Sequence, residues 1–151
     1  MADYLQNLMM RLVNFYPPFL GAGIRVTYPK DDPYTIVVRM KLWFYNRNLF
    51  GTHFGGSLYA MTDPFFVFIL IGSLGPGYAV WNKKATVEFL KPGRGRVTGR
   101  YRIPPEEIAR VRGLAESGQA VEPVYTGEIL ADDGTLVARV TQTLWVRKKT
   151  G

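Results

Sequence analysis

The sequence predicts an α+β fold in which a curved, mostly antiparallel sheet wraps around one long apolar helix. Three observations predict it. A nearly continuous apolar run of helical length occupies residues 56–74. Residues 35–44 alternate like a half-buried strand, further segments on both sides of the run read as strands, and an Asp-Gly pair between the last two is a strong hairpin signal. Strands joined by hairpins are antiparallel, so the most hydrophobic element is expected to cover one face of their sheet.

The elements follow in a simple order along the chain. Residues of about 4–14 have the apolar spacing of an amphipathic helix, which Pro17-Pro18 ends. The first strands are expected at residues 23–28 and 35–44, and the central helix at about 56–73. Two further strands are expected at residues 79–90 and 95–103, joined by a hairpin across Lys91-Pro92-Gly93-Arg94. A second helix is expected to begin at Pro104-Pro105. The last two strands are expected at residues 121–131 and 135–147, on either side of Asp132-Asp133-Gly134.

The apolar run has two features that argue against a membrane span. A membrane helix needs about 20 apolar residues, but Asp63 and Pro64 stand near the middle of this run. An Asp at the centre of a bilayer costs about 2.5–3.5 kcal/mol. We therefore expect a buried helix with no membrane span, and the polar residues near the N-terminus do not resemble a secretory signal.

Size and composition restrict the class of protein. The chain has 151 residues and a hydrophobic share of 47%, which fits a single domain over residues 1–151 and excludes a disordered chain. It contains no cysteine, which excludes disulfides and thiolate chemistry and allows the cytoplasmic location that we expect. With one histidine, His53, a histidine-rich metal site is excluded within one chain, and we expect neither a metal nor a cofactor.

The net charge of +7 predicts attraction to anionic partners. The densest basic stretch runs from Lys91 to Arg112, and its default interpretation is a solvated surface. Nucleic-acid motifs are missing from the sequence, and its aromatic residues cluster in apolar runs instead of alternating with Arg and Lys. We therefore expect no nucleic-acid partner.

A motif around the start of the central helix resembles that of a known family. Asn48, Gly51, the pair Gly55-Gly56 and Asp63 stand at the spacing found in hotdog-fold thioesterases, which act on acyl-CoA and other thioesters. The Phe-Gly-Gly and Asp-Pro pairs look most like the PaaI-like and uncharacterised DUF4442-type branch. The resemblance implies the hotdog fold, thioester hydrolysis, and a site shared between paired subunits.

Two positions depart from the family pattern. Phe54 stands immediately before Gly-Gly, where the family usually has histidine, and His53 lies one place earlier. Asn82, with Lys83 beside it, stands where the family often has a serine or threonine. We include His53, Phe54, Asn82 and Lys83 among the substrate-binding candidates.

The chemistry of thioester hydrolysis can be assigned to these residues. Asp63 is expected to act as general base or nucleophile, and Asn48 to hold the water or the substrate carbonyl. Backbone N–H groups of Gly55 and Gly56 at a helix start are expected to form the oxyanion site. Gly55 and Asp63 are eight residues apart, or about 12 Å along a helix, so one carbonyl group can touch both only if they come from different subunits. This predicts a homodimer or a dimer of dimers.

Basic side chains near the second pair of strands are candidates for binding the phosphates of an acyl-CoA-like substrate. They are Lys91, Arg94 and Arg96.

Structural interpretations of the same residues stay open. Asp63-Pro64 is also an ordinary helix start with Asp as N-cap, and Gly55-Gly56 is also compatible with a tight turn. His53 and Asn48 are common hydrogen-bonding residues in loops. The alternative function is a non-catalytic protein that binds acyl-CoA or fatty-acyl chains, whereas a hydratase of the same fold would need a His–acid pair that His53 matches poorly.

Overall fold

A single antiparallel sheet organises residues 12–149, the part of the chain that the computed structural model describes. Within these residues it has six strands: β1 (Ile24–Thr27), β2 (Thr35–Lys41), β3 (Tyr78–Phe89), β4 (Arg96–Arg102), β5 (Val124–Ala131) and β6 (Leu136–Lys148). Their order across the sheet is β1-β2-β4-β5-β6-β3, and all neighbours are antiparallel. The predicted α+β class with a mostly antiparallel sheet is confirmed.

The α-helices of the same region are α1 (Pro17–Ala22), α2 (Gly55–Ala60), α3 (Phe65–Leu74) and α4 (Pro105–Ala115). Helix α3 packs against β2, β3 and β4. Because β3 is one edge of the sheet and β2 lies next to the other edge, the sheet must curl around this helix. The helix expected at about residues 4–14 lies almost wholly outside the described residues.

The central helix is divided by a turn over residues 61–64. Pro64 has no backbone N–H to donate to the carbonyl of Ala60, and its ring crowds that carbonyl, so a regular helix ends here. Phe68 donates to the Pro64 carbonyl at 2.8 Å and begins the hydrogen bonding of α3. The single helix expected at residues 56–73 is therefore two helices, and Asp63 lies in the turn between them.

Aromatic side chains form the contact between α3 and the sheet. Phe65 and Phe66, the first two residues of α3, are buried on either side of Tyr101 from β4. The ring centroids are 5.4 Å apart in the stacked Phe65–Tyr101 pair and 5.3 Å apart in the perpendicular Phe66–Tyr101 pair. The span Gly55–Leu74 would pass for a membrane helix by length and composition, but the buried aromatic side chains of α3 pack in the core against the sheet.

The prediction of a hairpin across residues 91–94 is wrong. Strand β3 pairs with β6 at the edge of the sheet, whereas β4 lies between β2 and β5. The segment after Phe89 therefore crosses from one part of the sheet to another. By contrast, β5 and β6 do form the expected hairpin, where Ala131 donates to the carbonyl of Thr135 at 2.9 Å and Gly134 has a φ of +85°.

Strand β3 has two features that bear on function. It is an edge strand, so one side of its backbone is unpaired within the described residues. It also contains a bulge, because Asn82 pairs with Leu144 while Lys84 pairs with Thr143, which leaves Lys83 as an extra residue. Residues with even numbers before the bulge and odd numbers after it consequently lie on the face of the sheet that the helices cover.

Candidate functional site

A cleft of about 510 Å³ lies beside the start of α2 and the end of β3. It is lined by Asn48, Phe50, Thr52, His53, Gly55, Leu58, Phe89, Leu90, Lys91, Pro92, Gly93 and Arg94. Five of these were predicted site residues, and the others are mostly apolar. The cleft thus combines an apolar wall with a cationic mouth.

The start of α2 presents free backbone donors beside this cleft. The amides of Gly55, Gly56 and Ser57 have no acceptor among the described residues, since they precede the first intrahelical hydrogen bond, from Leu58 to the Phe54 carbonyl at 3.0 Å. Phe54 is half exposed, and its ring covers the Cα of Gly56 on the side of a second cavity. The geometry is compatible with the expected oxyanion donors.

Asn48 uses its amide group within its own loop. Its Oδ1 accepts from the backbone N–H groups of Phe50 at 2.9 Å and Thr52 at 3.1 Å. Its Nδ2 donates to Thr52 Oγ1 at 2.9 Å and to the His53 carbonyl at 3.2 Å. Asn48 therefore orders the loop that leads into α2, although it also lines the cleft.

His53 connects that loop to the segment after β3. Its backbone N–H donates to the Gly93 carbonyl at 3.0 Å, and its Nε2 lies 3.1 Å from the Gly95 carbonyl. The ring is buried, which lowers the pKa of His53, while the contact with the Gly95 carbonyl acts in the opposite direction. A neutral ring that donates through Nε2 fits these contacts, and its buried Nδ1 has no partner among the described residues.

Asp63 lies outside this cleft and is held by two side chains. Its Oδ1 accepts from Tyr59 Oη at 3.2 Å and from Asn82 Nδ2 at 3.1 Å. Asp63 does not cap α3, because the N-cap position is Pro64 and no side chain caps that helix. The interpretation of Asp63 as an N-cap is therefore wrong, and the structure brings Asp63 together with Asn82 but not with Gly55.

The basic candidates are divided among three environments. Lys91 and Arg94 lie at the mouth of the cleft. Arg96 is exposed at the start of β4 and is not one of the lining residues. Lys83 in the β3 bulge forms an exposed ion pair with Glu122 at 2.6 Å.

Three residues near Asp63 were missed by sequence reasoning. Tyr59 stands four residues before Asp63, a helical spacing that the sequence displays. Gln142 occupies an inward position of β6 between Val140 and Leu144, where an apolar side chain is the rule, so its polarity was a usable signal. Tyr101 carried no such signal.

Within residues 12–149 no group of three metal-ligating side chains is close enough to hold an ion.

The six-stranded antiparallel sheet curled around a central helix is the hotdog fold. The chain belongs to the family described as domain of unknown function DUF4442, whose model matches residues 6–146. No curated protein matches the sequence.

Solved structures share the fold at low sequence identity. One is a Pseudomonas aeruginosa protein of unknown function described as a probable thioesterase, with a TM-score of 0.84, 18% identity and 95% of each chain covered. A Haemophilus influenzae thioesterase has a TM-score of 0.65 at 18% identity, covering 98% of this chain and 91% of its own. The Escherichia coli PaaI protein of the phenylacetic acid degradation operon has a TM-score of 0.64 at 18% identity, and the match covers 97% of this chain and 96% of the PaaI chain.

Proposed function

We propose that the protein hydrolyses acyl-CoA-like thioesters at a site shared between two subunits. The observation that carries this proposal is the separation of two complementary groups along one chain. The free amide of Gly55 adjoins the cleft and that of Gly56 follows it in the first turn of α2, whereas the Asp63 carboxylate lies with Asn82, beyond the far end of α2. Each group is suited to one half of the reaction, and neither can complete it alone.

The unpaired edge of β3 supplies the means to bring them together. Asn82 faces inward beside Asp63, and Phe89 faces inward beside Gly55, so both halves border the same strand. If two copies pair antiparallel through β3 about an axis near residues 85–86, Asn82 of one copy lies opposite Phe89 of the other. This arrangement carries the acid of each subunit toward the cleft of its neighbour. A homodimer, or a dimer of such dimers, is therefore part of the proposal.

Exposed apolar side chains support the same contact. Leu49, Phe50, Phe89 and Leu90 are all exposed around the cleft, and Leu49 and Phe50 are almost fully so, at 102% and 84%. A contiguous apolar surface of this kind marks an interaction site in a soluble protein. A second copy would cover it while the cleft keeps room for an acyl group.

The reaction follows from the chemistry of these groups. Oδ1 of Asp63 is occupied by Tyr59 and Asn82, which leaves Oδ2 to remove a proton from water. The water oxygen attacks the thioester carbonyl, and the oxyanion that forms accepts from the amides of Gly55 and Gly56. The C–S bond then breaks, and the thiolate takes the proton from Asp63. In the nucleophilic alternative, Oδ2 itself attacks the carbonyl and water hydrolyses the resulting anhydride.

The cationic mouth suits the coenzyme end of the substrate. Lys91 and Arg94 are exposed on the same side of the cleft and can pair with phosphate groups. The apolar wall formed by Leu58 and Phe89 suits the acyl chain.

We place this reaction in the cytoplasm, which the lack of cysteine permits.

Mixing two inactive variants tests the shared site. Asp63→Asn should abolish hydrolysis without unfolding the dimer, and Gly55→Val should block the amide side through crowding at Phe89. After subunit exchange, each heterodimer has one site with both halves intact. Since half of the dimers are mixed, activity should return to about a quarter of wild type.

The controls are each variant exchanged with itself, a circular dichroism spectrum and the mass by light scattering. Two chains of 17.1 kDa are expected in the particle. A monomer, or mixed dimers that stay inactive while wild type is active, would contradict the shared site.

A non-catalytic acyl-CoA binder is the second candidate. The engagement of all hydrogen-bonding groups of Asn48 within its loop favours it, because a water held by Asn48 would have to displace one of them. A panel of acyl-CoAs with a thiol reagent separates the two functions. Saturable binding without release of free thiol supports the binder, and release supports the hydrolase.

A further inference from the structure

The interruption of the central helix is held by two side chains that come from the sheet. Three consecutive carbonyls, of Met61, Thr62 and Asp63, lie where Pro64 has ended the helical hydrogen-bonding pattern. Tyr101 Oη donates to the Met61 carbonyl at 2.8 Å. Gln142 Nε2 donates to the Asp63 carbonyl at 3.1 Å and lies 3.4 Å from that of Thr62. We call Tyr101 and Gln142 the clamp.

Both clamp residues are completely buried, with 0% of either side chain exposed. A buried amide or phenol is costly unless it is hydrogen-bonded, and these groups find partners only in the turn. The cost of burial is higher for Gln142, because its Oε1 accepts from no donor within the described residues. A leucine or methionine at this position would avoid that cost, so stability of the core does not account for the glutamine.

The sheet is shaped to admit the Tyr101 ring. A Cβ built on Gly127 would lie 2.6 Å from Cε1 of Tyr101, and one built on Gly99 would overlap its hydroxyl group. Glycine at these two strand positions therefore lets the ring lie flat over β4 and β5. Phe65 and Phe66 enclose the same ring from the helix side. The hydroxyl group consequently has little freedom to point anywhere except at the turn.

The clamp acts on the backbone at the residue whose side chain we assign to catalysis. Asn82 and Tyr59 hold the carboxylate of Asp63, while Gln142 holds its carbonyl. We infer that Tyr101 and Gln142 are positioning residues, which hold residues 61–64 out of the helical path and so aim Oδ2 of Asp63 into the shared site. This inference rests on the proposed function, because it concerns the geometry of the proposed base.

Two conservative substitutions test the clamp. Tyr101→Phe removes one hydroxyl, and Gln142→Met removes the donor at nearly constant volume. We expect kcat for acyl-CoA hydrolysis to fall by about 10- to 100-fold in each, because a small displacement of a catalytic group is costly, while KM changes by less than about twofold.

Tyr125→Phe is the matched control. It also removes a half-buried tyrosine hydroxyl that packs near α3, but that hydroxyl donates to Glu107 at 3.2 Å, away from the turn. Its kcat should equal that of wild type. An unchanged kcat in both clamp variants, or a rise in KM with kcat intact, would overturn the inference.

A second measurement separates failure of the clamp from failure of the proposed function. The carboxyl ¹³C resonance of Asp63, assigned by its loss in Asp63→Asn, reports the surroundings of the carboxylate without any substrate. It should shift in Tyr101→Phe and Gln142→Met but not in Tyr125→Phe. If wild type hydrolyses no thioester, the proposed function fails and this shift still decides the clamp. A resonance that stays in place in both variants would rule the clamp out.

Discussion

At the scale of single residues, the most informative side chain is Asp63, because its neighbours differ from those the sequence suggested. Burial in an apolar helix was expected, yet its carboxylate meets two polar groups at a turn. The sequence could indicate Asp63 from its isolation among apolar residues. It could not indicate that Gln142 contacts Asp63, because a contact across 79 positions leaves no local pattern.

The buried ring of His53 predicts that the stability of the fold depends on pH. Burial lowers its pKa below the unfolded value of about 6.5, so the unfolded chain binds more protons just below that pH. Stability from the neutral ring is therefore present above about pH 6.5 and is lost as the pH falls. The loss is at most about 1.4 kcal/mol for each pH unit. Melting temperatures at about pH 7.5 and pH 5.5 should differ less for His53→Gln than for wild type.

The direct check is the titration of the imidazole itself. His53 is the only histidine in the chain, so one pair of ring proton signals reports it once any purification tag has been removed. A midpoint at or above about 6.5 would contradict this account of the buried ring.

At the scale of elements, two glycines offer the same substitution with opposite expected results. Gly134 turns the β5–β6 hairpin at a φ of +85°, and a Cβ there would touch nothing, so Gly134→Ala should cost about 1–2 kcal/mol through backbone strain alone. Gly113 lies exposed near the end of α4, also with open space around it. Gly113→Ala should stabilise by about 0.5–1 kcal/mol.

Thermal unfolding measures both changes, at about 2–4 °C for each kcal/mol in a chain of this size. Equal effects of the two substitutions would show that the hairpin conformation is not the source of the difference.

The elements themselves were largely predictable, and their arrangement was less so. The sequence predicted all six strands, and the Asp-Gly pair predicted the β5–β6 hairpin. The segment 91–94 has equally good turn residues, but β3 pairs with β6 instead of β4. A turn sequence reports where the chain changes direction, whereas partner choice depends on long-range packing that a local pattern does not contain.

At the scale of the whole molecule, the charge of +7 raises the question of whether anion binding is local or general. Arg94→Glu and Arg100→Glu each change the net charge by two, from +7 to +5, and so weaken long-range attraction equally. Only Arg94 lines the cleft, whereas Arg100 is exposed on β4. We expect Arg94→Glu to raise KM for acyl-CoA by about tenfold, the effect of one lost charged contact.

Steady-state kinetics at two salt concentrations complete this comparison. The KM of Arg100→Glu should stay close to that of wild type at the higher concentration, where long-range attraction is screened. An equal rise in both variants would assign anion binding to the overall field and not to the cleft.

The extra residue in β3 lets one strand serve two different surroundings. If Lys83 were instead paired opposite Thr143 in a regular strand, the side chains would alternate without interruption, and a strand that offers Asn82 to the acid would turn Ala85, Val87 and Phe89 away from the helix. With the bulge at Lys83, polar Asn82 and the apolar side chains of Ala85, Val87 and Phe89 lie on the same side of the strand. Deleting Lys83 would keep both stretches on that side, because Asn82 and Ala85 would then be two positions apart, whereas a one-residue deletion between Ala85 and Phe89 would turn Phe89 outward. We therefore expect this strand to tolerate the loss of the bulge residue better than the loss of a residue beyond it.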